Sequence, residues 1–598
     1  MVDLLASPAP LPAPSPSPDL DFGSFSESGP WVLHPQDLGW RPGVDELRAR
    51  TASEVPHLVR LRRIPPGGRV VSVVVRLGWA VGAWYVFDRR RGRHSSRAGL
   101  SRRLRLAFEH LGPTYIKLAQ ILSSGQGIFP EELVTEFKKC RDHVPAEPFS
   151  SVCATVEAEL GRPLAAVFSW FSEVPVAAAS IAQVHRATLV SGESVVVKVQ
   201  RTNIASLVRV DLAAMSWIAP ALVGRIPVTA LANPPALVEL FAQTIVEELD
   251  FRLEAGNMLD IARILAETGS RTTIVPRPHP RLVSRRVLVM ERLDGFSWDD
   301  VEGMHAAGID TSAVVHEGMV SFMEGAMLYG VFHGDLHGGN LFVQPDGRVA
   351  LLDFGITGRL DEPRRLAFLR LLMGGTVNNV HMQVEALRDL GALPVDADLE
   401  AVIRDLDLEG PVRDPTQMTP DELTAQIRDL TKQLLSYGAR MPKELMLFVK
   451  NMLFLDGAMA TLAPDVDLLG EVARLAMYFT TRYGERIAAD IGIDPRETEV
   501  DLDGIRASMG LSADVEGVTY RELLERRELI RRRMEERKRR QDRRPSPGGL
   551  GRLRLGRLGR LGRLGMGRLG IGRLGIGRLR IGRLRIGRLR IGRMGRPR

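Results

Sequence analysis

The segment His333-Gly-Asp-Leu-His-Gly-Gly-Asn340, followed by Asp353-Phe-Gly355, constrains this chain more than any other feature. Between the two lie short apolar runs, Leu341-Phe-Val343 and Val349-Ala-Leu-Leu352, separated by Pro345-Asp-Gly347. Apolar runs around such a turn form a two-stranded hairpin, so the polar residues stand on loops at its ends. The spacing H-x-D-x-x-x-x-N and then D-F-G suits phosphoryl transfer. Asp335 can accept a hydroxyl proton or orient a nucleophile. Asn340 and Asp353 offer the hard oxygen ligands that Mg²⁺ on a triphosphate prefers. The competing reading is a surface His/Asp loop followed by an unrelated Asp-Phe-Gly, and the joint spacing around a hairpin weighs against it.

At 598 residues, with 44% hydrophobic and 25% charged side chains, the chain is long enough for two or more units with cores of their own. Two cysteines, Cys140 and Cys153, give neither a disulfide framework nor metal-ligand spacing, which favours a reducing compartment. The net charge of +8 belongs to the tail: residues 551–598 hold 16 Arg and no Asp, Glu or Lys, leaving the rest at −8. The first thirty residues are rich in Pro, Ser and Asp and lack a basic-then-apolar secretory pattern. The expected location is cytoplasmic, peripheral to the cytoplasmic membrane.

Along the chain, residues 1–36 read as a disordered Pro/Ser-rich leader. Residues 37–160 form a helical extension that includes Val70 to Phe87. That apolar stretch is interrupted by Arg76 and flanked by Arg89-Arg-Arg91, and it reads as a buried or membrane-interfacial helix, short for a span. Residues 161–295 turn to strand-like alternation, ending one run in Ser194-Val-Val-Val-Lys-Val-Gln200, with a helix from Pro235 and a strand at Arg286–Arg292. Residues 296–500 are mostly helical beyond the metal loop. Residues 501–544 form a charged helical segment and 545–598 an Arg/Gly/Leu low-complexity tail. Strands first and helices after predict an α+β, bilobal, kinase-like fold.

Lys198 lies inside an apolar strand, where an unpaired ammonium is costly, so it needs an anionic partner or a phosphate. Glu254, in Glu247-Glu-Leu-Asp-Phe-Arg-Leu-Glu254, is the candidate partner. Glu291 and Arg292, at the end of the next strand, stand by order where a hinge backbone would meet an adenine. Over the phosphates the chain has Ala177-Ala-Ala-Ser180 in place of a glycine-rich loop. Methyl groups limit close backbone approach, so a nucleotide must sit differently or less deeply there.

With these residues the chain resembles the UbiB/AarF, or ABC-one, family of atypical protein-kinase-like proteins over roughly residues 95–470. The family's alanine-rich loop matches Ala177, Ala178, Ala179 and Ser180, its K-x-G-Q helix resembles Lys117-Leu-Ala-Gln120, and its E-x-D motif matches Glu248-Leu-Asp250. Its next glutamate matches Glu254, and its catalytic loop matches His333, Asp335, His337, Gly339 and Asn340. Ala119 stands where the family has glycine, and Gly334 and Gly338 stand where it usually has Ala and Pro. The resemblance implies a helical N-terminal extension packed over the active site, with Lys117 and Gln120 held by the E-x-D acids where a peptide substrate would otherwise lie. It also implies ATP and Mg²⁺ as cofactors, Lys198, Lys117, Gln120 and Asp335 as catalytic residues, and Asn340 and Asp353 as metal ligands.

The expected function is a UbiB-type kinase or ATPase supporting isoprenoid-quinone or other prenyl-lipid metabolism. The alternatives are a nucleotide-gated scaffold for a membrane biosynthetic complex and a small-molecule phosphotransferase. The five-residue repeat between Gly567 and Ile591 keeps its Leu and Ile on no single helical or strand face. Its Arg density suits an anionic membrane surface, and without aromatics for base stacking no specific nucleic-acid partner is expected. Prenyl lipids or quinone-pathway proteins are further candidate partners.

Overall fold

The computed structural model describes residues 23–532, with breaks at 28, 62–63, 65–66, 90–92, 124–129, 142–144, 223–233, 410–432 and 435 and at scattered positions from 497 to 531. The low-complexity tail and the first 22 residues of the Pro/Ser-rich leader lie outside the described residues. The described residues divide into two packed units, one within residues 1–227, 232–359 and 447–455 and the other within residues 360–446 and 456–598. The lobe boundary expected at 295–296 therefore does not coincide with a boundary between units. The His333–Asn340 loop and Asp353-Phe-Gly355 pack with the strands and the helical extension, because the strand Val349–Leu351 pairs in parallel with Thr273–Ile274 and Phe354 is buried in the same apolar cluster as Tyr115 and Leu288.

In the first unit, β1 (Phe168–Phe171), β3 (Ala182–Leu189), β4 (Ser194–Gln200), β7 (Val287–Glu291) and β6 (Pro278–Val283) form an antiparallel sheet in that order, with β2 (Ala177–Ala178) paired to β3. The period of two in β4 decides what each side chain meets. Val195, Val197 and Val199 are buried with Val152 and Val156 of the Phe149–Leu160 helix. Lys198 falls on the opposite parity and meets the Phe251–Glu267 helix. That helix begins at Asp250, whose side chain accepts from the Arg252 amide. Twelve of its residues are buried, so it is apolar on nearly every side and fixed in register.

A second sheet runs β5 (Thr273–Ile274), β11 (Val349–Leu351), β10 (Leu341–Val343) and β8 (Phe296–Ser297), and β12 (Thr357–Arg359) pairs with β9 (Val331–His333). The hairpin expected between Asn340 and Asp353 is β10–β11, in the register Leu341 to Leu351.

Residues 23–36, expected as part of the disordered leader, pack instead on the first unit. The Ser24 amide donates to the Ala262 carbonyl (2.8 Å), and Phe25 and Leu33 are buried. The ordering comes from elsewhere in the chain: Arg277 donates to the Ser26 carbonyl (2.6 Å) and lies over the Phe25 ring. Local composition carries no trace of such partners.

The second unit contains the Glu362–Thr376, Val380–Asp389, Leu399–Asp405 and Leu468–Ile491 helices. Part of the charged segment packs there as well. Leu511, Val518 and Leu523 are buried with Leu469. Thr519 and Glu522 close a capping box, with Thr519 N to Glu522 Oε2 at 2.9 Å and Glu522 N to Thr519 Oγ1 at 3.2 Å.

Candidate active site

Lys198 Nζ lies 2.7 Å from Glu254 Oε1 and 3.0 Å from Asp353 Oδ1. Two carboxylates share one ammonium. Burial opposes charge on Lys198, yet Asp353 and Glu254 raise its pKa, so it stays protonated. The cost falls on Glu254, whose pKa rises through burial, against the pull of Lys198 and with the push of Asp353. Asp353 is 47% exposed and so open to a ligand. Burial works against its charge too, but Lys198 and Lys117 hold its carboxyl well below the usual range. It takes φ +60°, a left-handed conformation that Asp and Asn tolerate better than most side chains. The loop around it is pinned by Asn257, which donates to the Phe354 carbonyl at 2.9 Å.

His333 joins the two loops. Its Nε2–H points to the carbonyls of Leu352 (3.1 Å) and Asp353 (2.9 Å), while its Nδ1 accepts from the Asp335 amide (3.2 Å). This assigns the neutral Nε2–H tautomer, in keeping with a pKa lowered by burial. Asn340 is buried, and its Nδ2 donates to the Asp335 carbonyl at 3.0 Å, which turns its oxygen the other way. Asn340 Oδ1 and the Asp353 carboxylate are the hard oxygen donors that would hold Mg²⁺. The remaining ligand positions would fall to phosphate oxygens and water, as Mg²⁺ sites on nucleotides prefer.

Lys117, on the Pro113–Ser123 helix of the extension, lies 2.7 Å from Glu248 Oε1. Burial opposes its charge, and the carboxylates of Glu248, Asp335 and Asp353 raise its pKa. The second acid of the E-x-D motif does not join it. Asp250 caps the Phe251–Glu267 helix and forms a two-point pair with Arg252 (2.9 and 2.7 Å), so of the two motif acids it is Glu248 that pairs with Lys117. Gln120 stands one turn beyond Lys117 on the same helix, half-buried. Ala119 is fully buried against Ile116, Phe137 and Cys140. Two residues on a helix from Lys117, it faces another way, and its extra methyl fills a core.

The alanine loop is a tight turn between β2 and β3. The Ala179 amide donates to the Ala182 carbonyl (2.8 Å), the Ala179 carbonyl accepts from Arg201 Nε (2.9 Å), and Ser180 is buried. Glu291 departs from its expected role. Its carboxylate is bound by Ser26 and Arg277, and its amide donates to the Arg277 carbonyl (2.8 Å), so that amide is not available to an adenine. Arg292 pairs with Asp294 at 2.9 Å. Gly334 is explained by its neighbours: an added Cβ would meet Ile356 Cγ2 at 2.8 Å and Leu447 at 3.1 Å.

Sequence reasoning missed Lys450 and Asn451, on the Lys443–Leu462 helix. Lys450 Nζ contacts Asp335 Oδ1. Asn451, fully buried, donates to the His333 carbonyl and accepts from the Leu336 amide (3.0 Å). Burial disfavours charge on Asp335, but Lys450, His337 and Lys117 hold its carboxyl far below the ordinary value. A lysine and an asparagine inside an otherwise apolar helical run were the available signal.

The ABC1 atypical kinase-like domain matches residues 139–387. The chain is 36% identical over 381 residues to an uncharacterized protein of Mycobacterium tuberculosis, covering 62% of this chain and 76% of that protein. It is 31% identical to an uncharacterized chloroplastic aarF domain-containing protein kinase of Arabidopsis thaliana, covering 61% and 72%. It is 30% identical to a probable protein kinase UbiB of Marinobacter nauticus, covering 61% and 67%.

Proposed function

The chain belongs to the ABC1 atypical kinase-like family, with UbiB and aarF-domain relatives, and on that premise we propose that it is an ATP- and Mg²⁺-dependent phosphotransferase or ATPase supporting isoprenoid-quinone or other prenyl-lipid metabolism at the cytoplasmic face of a membrane. The observation that carries the reading is the convergence of Lys198, Asp335, Asn340 and Asp353 in one packed unit, tied together through His333. Lys198 would hold nucleotide phosphates, and Asp335 would orient the attacking hydroxyl or water. Mg²⁺, when bound, would neutralise phosphate charge at Asn340 and Asp353. The prenyl-lipid part rests on the family resemblance.

The membrane part is supported by the Gly68–Phe87 helix. By length and composition it is one of three described helices apolar enough to cross a membrane, the others being Ile204–Leu222 and Lys443–Leu462. Its inward residues, Val70, Val73, Ala80 and Ala83, are buried, whereas Val71, Val75, Trp79, Tyr85 and Phe87 are exposed, Trp79 at 78%. An apolar, aromatic face with Arg76 and Arg89 beside it suits the headgroup boundary of an anionic bilayer.

A second reading, a nucleotide-gated scaffold with little turnover, is favoured by Lys117, which the extension delivers to Glu248 beside the catalytic acids. The test is ATP hydrolysis by the full chain and by Asp353→Asn, with and without cardiolipin vesicles and a prenylated phenol. Asp353-dependent turnover that rises with lipid supports the enzyme. Binding without turnover under every condition moves the function to the scaffold.

A further inference from the structure

The catalytic loop from His333 to Asn340 contains no lysine or arginine, although charge gathers on the oxygens of a transferring phosphoryl group and calls for a cation there. Among the described residues three lysines reach the site, and two of them pair with other acids. Lys117 lies on Glu248, and Lys198 bridges Glu254 and Asp353. The third, Lys450, arrives from a helix more than a hundred residues further along the chain and places its ammonium on Asp335 Oδ1. His337 Nε2 is 4.0 Å from the other oxygen of the same carboxylate.

Lys450 is held in place by its surroundings. The next residue, Asn451, bonds to the backbone on both sides of Asp335, at His333 and Leu336, which fixes the register of this helix on the loop. Phe448, two residues earlier, stacks on Phe322 with centroids 5.4 Å apart and meets Phe332 edge-on at 6.1 Å. Leu447 and Leu455 are buried. The Lys450 side chain is 17% exposed, shielded yet still open to the site. This is the preorganisation that an electrostatic contribution to catalysis requires, since the charge is already positioned before the reaction begins.

We propose that Lys450 is a catalytic residue whose ammonium binds the γ-phosphoryl group of the bound nucleotide beside Asp335. The proposal rests on the phosphotransfer reading given above. A nucleophile oriented by Asp335 must stand at a near-attack distance of about 3–3.5 Å from the phosphorus, so a cation against Asp335 Oδ1 is within reach of the γ-phosphoryl oxygens. As the nucleophile's oxygen bonds to the γ-phosphorus, the bond from that phosphorus to the β,γ-bridging oxygen breaks, and its electron pair leaves with ADP. The nucleophile's proton passes to Asp335 and from there to water. Lys450 keeps its own proton and neutralises the phosphoryl oxygens. A purely structural Lys450 would only balance the charge of Asp335, and ADP would then bind with the same dependence on it as ATP.

The experiment measures dissociation constants for Mg-ATP and Mg-ADP, steady-state ATP turnover and melting temperature on the full chain. It compares wild type with Lys450→Met, Lys450→Gln and Lys450→Arg, with Asp353→Asn as the control for the reading itself. Lys450→Gln keeps a polar group against Asp335 and serves if the methionine variant fails to fold. The expected result is that Lys450→Met and Lys450→Gln weaken ATP binding ~10-fold, leave ADP binding within about twofold and lower kcat ~100-fold, with partial recovery in Lys450→Arg. Equal loss of ATP and ADP affinity, or Asp353-dependent turnover unchanged in both uncharged variants, overturns the role of Lys450 and leaves the phosphotransfer reading standing. Absence of any Asp353-dependent turnover in the wild type overturns both.

Discussion

Lys198 Nζ and Glu254 Oε1, 56 residues apart in the chain, meet at 2.7 Å with both side chains at most 10% exposed. Removing one member of such a buried pair strands the other's charge. Lys198→Met is therefore expected to destabilise the chain by ~3 kcal/mol and to abolish ATP binding. The double variant Lys198→Met/Glu254→Gln is expected to recover part of the stability and none of the binding. Denaturant melts and nucleotide titration check this, and additive losses of stability would contradict the coupling.

Lys117→Ala leaves Glu248 buried beside Asp353 with its main counter-charge removed. A loss of about 3 kcal/mol in stability is expected, reduced when Glu248→Gln is added. Altered nucleotide selectivity or autophosphorylation should accompany it. Unchanged behaviour in both assays would remove Lys117 from the site.

Ala119→Gly tests whether the extra methyl belongs to the core or to the site. Buried against Ile116, Phe137 and Cys140, Ala119 is expected to lose ~1–2 kcal/mol on becoming glycine, from helix propensity and lost burial, with nucleotide affinity unchanged. A thermal melt alongside ATP titration separates the two effects.

Much of the proposed site was legible because the phosphoryl transfer proposed for it would fix both residue types and spacing. Lys198 stood out as a charge in an apolar strand, Asp335 as the candidate catalytic Asp, and Asn340 and Asp353 as candidate ligands around a hairpin. The α+β, kinase-like fold followed from strand alternation giving way to helical periodicity. Lys450 was not legible, since its partner lies more than a hundred residues away and no local spacing links them. Asp250 was read through a motif, but its position just before the Phe251–Glu267 helix makes it a cap, a local signal that the motif obscured. Ser26 and Phe25 sit in a Pro/Ser-rich leader and are ordered by Arg277, which composition alone does not reveal.

His279 gives the fold a pH dependence with a defined sign. Burial lowers its pKa to about 4, with Glu193 opposing and Arg281 assisting. Its Nδ1 accepts from the Arg281 and Leu282 amides at 3.1 Å each, which requires that nitrogen to be unprotonated. Between about pH 6.5 and pH 4 the unfolded chain takes up a proton that the folded chain refuses, so stability falls with falling pH by up to ~1.4 kcal/mol per unit. Melting temperatures across that window are expected to show the slope, and His279→Asn is expected to flatten it.

The exposed face of the Gly68–Phe87 helix predicts membrane association separable from nucleotide binding. Val75→Asp with Trp79→Glu is expected to reduce sedimentation with anionic vesicles at least several-fold while ATP affinity stays at the wild-type value. Truncation of residues 546–598 in the same assay reports the contribution of the tail, and equal sedimentation with and without it would exclude a lipid role for that segment.

The most direct test of the central claim, that Lys198, Asn340 and Asp353 form a Mg-nucleotide site, is calorimetric titration of ATP into the full chain with and without Mg²⁺, comparing wild type with Asp353→Asn. Mg²⁺ is expected to tighten ATP binding in the wild type, and the substitution is expected to remove this enhancement. Binding that is indifferent to Mg²⁺ and identical in both proteins would rule out a Mg-nucleotide site at these residues.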